Sequence, residues 1–319
     1  MTNKKQETRN SINWFLLLRM AGIALFIVVL SRTDLDELWG WLKQVDGRFI
    51  LIAMFFQVLL LLLKGLRWWL LNEDTWSKKI VFQRFGEFLE AYAIGVITPG
   101  RAGELLKAGH ASGRAQVISK GLLVISERGL DLSIFFLVAG ISPLLGYLGK
   151  VSPGVGGIML LISITGILLS FFILMLPGLV IFVQNFLKMI RIIKEDQSLT
   201  LVPRRKDTLL SFGILSLLSN ACAFLSFYFI ALSVALNLDL ITISGGVAYA
   251  GVINTIPVTI MGLGTRDVTL LYIFSEISSS QVLAFSGIIL MVSQIGGGLL
   301  SLLLGQFFLW KSKTKEENN

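Results

Sequence analysis

Six apolar segments decide what this chain can fold into: about 13–30, 49–71, 117–142, 156–183, 209–236 and 281–310. Each is long enough to cross roughly 30 Å of hydrocarbon as a helix. In lipid the backbone must satisfy its own hydrogen bonds, so such runs become helices rather than loops or open strands. Composition agrees. Hydrophobic residues make up 54% of the 319 and charged residues 15%, where a soluble domain carries about 25% charge. Too little charge remains to cover a globular surface. The sequence predicts an all-α, polytopic membrane protein, a single transmembrane domain over 1–319 with about six spans. The first run, Trp14 to Leu30, lacks a small-residue cleavage site and reads as a permanent first helix. Trp68, Trp69 and Trp310 fall at segment ends, where indole rings favour the interface.

Two further stretches are apolar but broken. Phe82 to Ala111 runs about a dozen residues as a first helical arm, meets Thr98-Pro99-Gly100-Arg101-Ala102-Gly103, and resumes at Glu104. Ile243 to Ser275 breaks between Ile256-Pro257 and Gly262-Leu263-Gly264 and resumes at Thr265-Arg266-Asp267. Arms of 10–13 residues reach about 15–20 Å, half a membrane. A Pro/Gly break between half-length arms predicts a re-entrant hairpin, whose irregular backbone is tolerated at depth only beside protein or a polar cavity.

With the N-terminus inside, the inner stretches 1–19, 64–120, 184–208 and 311–319 hold 22 of the 28 Lys and Arg. The outer positions (31–48, Lys150 and Arg266) hold five, and Arg128 lies within the third span. This asymmetry predicts cytoplasmic termini and a basic cytoplasmic loop at 184–208 along anionic lipid. It also opposes the two hairpins. Segments 49–142 and 209–310 then form an inverted repeat offset by roughly 160 residues, a pattern of secondary transporters with the site at the repeat interface.

The net charge of +8 follows from these loops and gives no reason to expect nucleic acid. One cysteine, Cys222, and one histidine, His110, exclude an intrachain disulfide and most zinc or Ser-His-Asp chemistry. No Walker A or Rossmann glycine pattern occurs. No cofactor, metal site or catalytic residue is expected.

Charges inside a membrane are functional candidates. At the first break, Gly100 and Gly103 let backbone amides approach a ligand, and a helix starting near Gly103 would favour an anion. Arg101 adds a guanidinium suited to phosphate, with Glu104 placed to pair with Arg101 or Lys107. The bland alternative is a charged cytoplasmic loop. At the second break, Gly262, Gly264, Arg266 and Asp267 repeat the arrangement, against the alternative of a surface pair between Arg266 and Asp267 or Glu276. In the third span Glu127 and Asp131 share a face, and Arg128 is spaced to pair with Asp131. These three carry protons, or hold Arg101 and Arg266 in place, or form a structural ion-pair network. Arg84, Glu87 and Glu90 read as an internally paired face. Lys64, Arg67, Trp68 and Trp69 read as an anchor at the headgroups, Gly296-Gly297-Gly298 with Gly305 as close helix packing, and His110 as a loop residue.

The runs Gly65-Leu66-Arg67-Trp68-Trp69-Leu70-Leu71, Thr98-Pro99-Gly100-Arg101-Ala102-Gly103-Glu104 and Glu127-Arg128-Gly129-Leu130-Asp131, followed by the glycine element at 262–267, resemble the lysylphosphatidylglycerol synthase transmembrane region, a flippase-like family. The resemblance covers about 13 to 310. The family's late element usually reads Pro-Gly-Gly-Leu-Gly before an acid. Here Ile260-Met261 precede Gly262-Leu263-Gly264, and Asp267 supplies the acid. The chain reads as a stand-alone member without a soluble aminoacyltransferase domain, so lysyl transfer is not implied. The resemblance implies a lipid translocase, or an accessory to lipid-linked glycan or polar lipid metabolism.

The sequence reading is therefore a flippase-like transporter of an anionic or phosphate-bearing lipid in a prokaryotic plasma membrane. The cargo would be a phospholipid, an aminoacyl phospholipid or a polyprenyl-phosphate carrier. The alternatives are a membrane-embedded transferase and an accessory scaffold, with a glycosyltransferase or lipid synthase as the candidate protein partner.

Overall fold

A computed structural model describes residues 24–72, 77–109, 114–175, 185, 188–189, 206–255 and 261–314. Among these no strand occurs, and the chain is an all-α polytopic membrane protein. His110, Pro257 and most of the basic 184–208 loop lie outside the described residues, as does most of the first apolar run, of which 24–30 is helical.

A short helix, α1 (Leu35–Lys43), lies between the first apolar run and the second. Asp34 caps it by accepting from the amides of Asp36 and Glu37 at 3.0 Å each. Leu38, Trp41 and Leu42 face the core, while Leu35 and Trp39 are exposed. The sequence reading treated this stretch as an outer loop. Its helix is amphipathic and short, a pattern that a search for long apolar runs passes over.

The long helices are α2 (Gly47–Asn72), α3 (Lys78–Ile97), α5 (Arg114–Leu144), α6 (Pro153–Met175) and α7 (Lys206–Ser233). Between α3 and α5, a 3-10 turn (Pro99–Leu105) leads into α4, four residues from Leu106 to Gly109. Beyond α7 come α8 (Leu240–Ile253), α9 (Thr265–Ile273) and α10 (Ser279–Ile289). A π-helical turn (Leu290–Gly296) then runs into α11 (Gly297–Thr314). Among the described residues, four helical stretches are long and apolar enough to cross a membrane, 47–72, 153–175, 206–233 and 279–312. Helix α5 is 31 residues long but carries Lys120, Glu127, Arg128 and Asp131.

Two expectations need correction. The first broken stretch is lopsided: its leading arm α3 has 20 residues, about 30 Å, because Lys78 and Lys79 extend the helix beyond the apolar run. Its return is a 3-10 turn and one α-turn. The last segment is not one α-helix but is interrupted by the π-turn. The second break is closer to even, with 14 residues in α8 and 9 in α9, one just above and one just below the roughly 10–13 expected.

The packing is crosswise. Helix α2 runs along α7, α3 packs on α11, α8 packs on α5, and α6 covers the outside of α5. Helices in lipid associate through close contact of small residues and interhelical hydrogen bonds. At the α3–α11 crossing, a Cβ on Gly86 would lie 2.6 Å from Leu309, and one on Gly305 3.1 Å from the Glu90 amide. At the α8–α5 crossing, Gly245 meets Ser142 in the same manner. Ser163 donates to the Ser133 carbonyl at 2.8 Å across α5–α6, and Ser226 to the Ala53 carbonyl at 3.0 Å across α2–α7. Leu161, Leu168, Leu210, Leu217 and Leu303 are exposed while Ser163, Ser216, Asn220 and Ser226 are buried. Apolar groups face outward and polar groups inward, as lipid requires.

Candidate functional site

The polar interior gathers around the middle of α5. Glu127 lies about 20 Å along this helix from its start. Glu127 and Asp131, one turn apart, both face Arg67 of α2. Arg67 donates from Nε to Glu127 Oε1 at 3.1 Å, from Nη1 to Asp131 Oδ1 at 2.7 Å and from Nη2 to Asp131 Oδ2 at 3.0 Å. Its Nη1 also reaches Ser216 Oγ at 2.7 Å. Lys64, one turn before Arg67, donates to Asp131 Oδ2 at 2.7 Å. Asn220 of α7 donates to Asp131 Oδ1 at 3.0 Å. Lys107, on α4, donates to Glu127 Oε2 at 2.6 Å and lies 4.9 Å from the Trp68 ring and 5.5 Å from Phe88. Arg67 is 2% exposed and Glu127 0%. Every charge in this inner layer has an opposite partner, which is what burial in a low-dielectric interior demands.

These contacts correct three sequence expectations. Lys64, Arg67 and Trp68 are buried in the network rather than anchored at the headgroups. Arg128 does not pair with Asp131, because Arg67 and Lys64 from a neighbouring helix occupy that carboxylate. Glu127 and Asp131 hold Arg67, Lys64 and Lys107, not Arg101 or Arg266.

The outer layer is built on the broken return of α3. Gly100 and Arg101 both take left-handed backbone, φ 58° and 55°, so the chain reverses within the 3-10 turn. For arginine that conformation is strained, and such strain concentrates at ligand sites and switches. The reversal is tight: a Cβ on Gly103 would lie 2.7 Å from the Ile94 carbonyl carbon, and one on Gly95 2.7 Å from Glu104 Cγ. Gly103 N–H donates to Thr98 Oγ1 at 2.8 Å. The helix start expected at Gly103 is absent, and this amide is taken up internally, so the site rests on side chains. Glu104 Oε1 receives Arg128 Nη1 at 3.2 Å and Arg101 Nη1 at 3.7 Å, and Lys107 Nζ lies 4.0 Å from Oε2. The Arg101 guanidinium lies 5.4 Å from the Tyr92 ring. Gln57 of α2 donates to Tyr92 Oη at 3.2 Å and approaches the Ser293 carbonyl of the π-turn at 3.5 Å. The side chains of Arg101 and Arg128 stay 32% and 29% exposed. Arg84 pairs separately with Glu87 at 2.9 Å, within α3.

The second break forms a smaller unit. Gly264, φ 85°, caps α9, and its N–H donates to Asp267 Oδ2 at 2.8 Å. Arg266 donates from Nε to Ser286 Oγ at 2.7 Å, and Ser286 in turn donates to Asp267 Oδ1. Arg266 Nη2 is 3.6 Å from Asp267 Oδ1, and Arg266 Nη1 is buried without a hydrogen-bond partner. Arg266 is buried with Asp267, not paired at the surface. The two breaks adjoin: a Cβ on Gly100 would lie 3.7 Å from the Thr255 carbonyl at the end of α8. Gly262, also at positive φ, lies against the side-chain amide of Asn254.

Compared with known families, the chain matches the lysylphosphatidylglycerol synthase TM region over residues 16–301. It belongs to that family. No curated protein matches it. In this member of the lysylphosphatidylglycerol synthase TM family, the three motifs noted in the sequence converge: Lys64 and Arg67 from the first, Arg101 and Glu104 from the second, Glu127, Arg128 and Asp131 from the third. The fourth, at 262–267, shares no ion pair with the second among the described residues; the two breaks touch instead at Gly100 and Thr255. Family membership ties the chain to membrane lipids and their metabolism or transport.

Proposed function

We propose that the chain moves an anionic, phosphate-bearing lipid across the plasma membrane, with Arg101 as its headgroup contact. The observation that carries this reading is the placement of two partly exposed guanidiniums at a strained 3-10 turn inside the helical bundle, Arg101 on the turn itself and Arg128 facing it from α5, beside the second break. A neutral structural network has no need of exposed cations at such a turn. The headgroup passes between the two breaks while the lipid tails remain in the bilayer, and Arg266 holds it in the alternate state.

The inverted-repeat organisation of 49–142 and 209–310 is part of this proposal, and two features support it. Helix α3 packs on α11 through Gly86, and α8 packs on α5 through Gly245, an exchange expected of two related units. The residues entering the breaks also recur. Ala91-Tyr92-Ala93, Gly95-Val96-Ile97 and Thr98-Pro99 are echoed by Ala248-Tyr249-Ala250, Gly251-Val252-Ile253, Thr255 and Pro257. Two related broken helices in opposite orientation supply what alternating access needs. The Lys and Arg asymmetry supports a cytoplasmic position for both termini.

The transferase alternative needs a carboxylate free to accept a proton. Glu104, Glu127 and Asp131 are each engaged by two or more cations, which favours transport. The test is reconstitution of the purified chain in liposomes with fluorescent anionic lipids, scoring transbilayer movement against Arg101→Ala. Movement in wild type and its loss in a folded Arg101→Ala variant is the expected result. Equal movement by both would overturn the assignment.

A further inference from the structure

The charge balance of the network narrows the headgroup, on the basis of the translocase reading above. Asp131 is held by Lys64 and Arg67, and Glu127 by Arg67 and Lys107. Glu104 alone faces Arg101, Arg128 and a distant Lys107. Among the described residues the network has five cations and three carboxylates, an excess of two positive charges. Arg67 and Lys107 are sealed, whereas Arg101 and Arg128 are about one-third exposed. The excess therefore emerges at these two guanidiniums.

Both aim Nη1 at the same oxygen, Glu104 Oε1. The two Nη1 atoms thus lie within roughly 7 Å of one another, a span that one phosphate bridges with contacts of about 2.8 Å on each side. Tyr92 lies against the Arg101 guanidinium and helps to fix its plane. By comparison, Arg266 at the other break is balanced one to one by Asp267.

We propose that Arg101 and Arg128 form a two-guanidinium clamp for the phosphate monoester of a lipid, and that Glu104 holds the clamp in the ligand's place until it arrives. A monoester presents three free oxygens and approaches two negative charges above its second ionisation near pH 6. It matches both the geometry and the excess. A phosphodiester, with two free oxygens and one charge, can span the two Nη1 atoms but offers no third oxygen for the second fork and leaves one positive charge unmatched. Arg128 thereby becomes a headgroup-binding residue rather than part of the inner ion-pair layer.

The test is binding by the purified full chain in detergent, with dioleoyl phosphatidic acid as monoester, dioleoyl phosphatidylglycerol as diester, and inorganic phosphate as the tail-free probe. At pH 7.5 the monoester lipid binds about tenfold or more tightly than the diester. That advantage shrinks at pH 5.5, while diester binding, which reports the protein's own titration, stays level. Arg128→Lys keeps the charge but loses the fork, so it erases the monoester advantage and retains diester binding. Glu104→Gln removes the internal competitor and strengthens monoester binding. If that variant fails to fold, the pH comparison and Arg128→Lys still decide. Equal binding of both lipids, lost in Arg101→Ala, would overturn the monoester clamp and leave the translocase reading standing. Binding of neither lipid by wild type would overturn both. Inorganic phosphate displacing the monoester lipid at equal concentration would overturn a lipid ligand.

Discussion

Arg67 and Asp131, 64 residues apart in sequence, meet fork to fork through two parallel hydrogen bonds of 2.7 and 3.0 Å in the buried interior. Removing one side of such a pair leaves an uncompensated charge, a loss of about 3–5 kcal/mol. Arg67→Ala should therefore lower the melting temperature of the detergent-solubilised protein sharply. Arg101→Ala, which removes a partly exposed cation, should leave it nearly unchanged. Reversed melting shifts would mean that the structural and ligand-facing arginines have been exchanged here.

At Gly103 a methyl group would meet the backbone of Ile94 and Gly95 at 2.7 and 2.8 Å, and no side-chain rotation relieves that. Gly103→Ala should open the turn and raise thiol labelling at an Ala102→Cys reporter. Gly121→Ala, where nothing lies within 4 Å, should leave labelling unchanged and add slightly to helix stability, up to about 1 kcal/mol. Similar labelling in both would show that the reversal is looser than described.

The tips of the two breaks adjoin at Gly100 and Thr255. With Cys222 replaced by alanine, a Gly100→Cys, Thr255→Cys pair should cross-link under mild oxidation. If lipid passes between these tips, the cross-link should stop transport and a reductant should restore it. Full transport by the cross-linked protein would place the path elsewhere.

Ser286 links Arg266 to Asp267 by accepting from one and donating to the other. Ser286→Ala leaves both buried charges short of a partner and should cost about 1–3 kcal/mol, read as a lowered melting temperature. Ser286→Thr, which keeps the hydroxyl, should recover most of it.

The apolar runs, the two breaks and the α5 charges were legible because each is a local pattern with one physical meaning in lipid. Glu127 and Asp131 stood out as intramembrane acids at one-turn spacing. Their partners did not. Lys64 and Arg67 fall close enough to the end of an apolar run that snorkelling to the headgroups and burial look the same in sequence. The discriminating signal was complementarity: a cation pair three apart on one helix facing an acid pair four apart on another. Ser216 and Asn220 were hidden as small polar residues in an apolar run. Arg128 was assigned to Asp131 by local spacing, a rule that ignores competitors on other helices. The π-turn at 290–296 follows no residue pattern that separates it from an α-helix.

That π-turn has a mechanical consequence. A π-turn carries one more residue than the α-turn it replaces, and each residue of an α-helix turns it by about 100°. Were Leu290–Gly296 to relax into α geometry, α11 would rotate by that amount relative to α10 and carry Gly305 away from α3. Gln57 ties the π-turn carbonyl of Ser293 to Tyr92, beside Arg101. The phase of the last helix is thus offset by one residue, and the contact at that offset comes from Gln57 of α2 and, through it, Tyr92 of α3, whose ring faces Arg101.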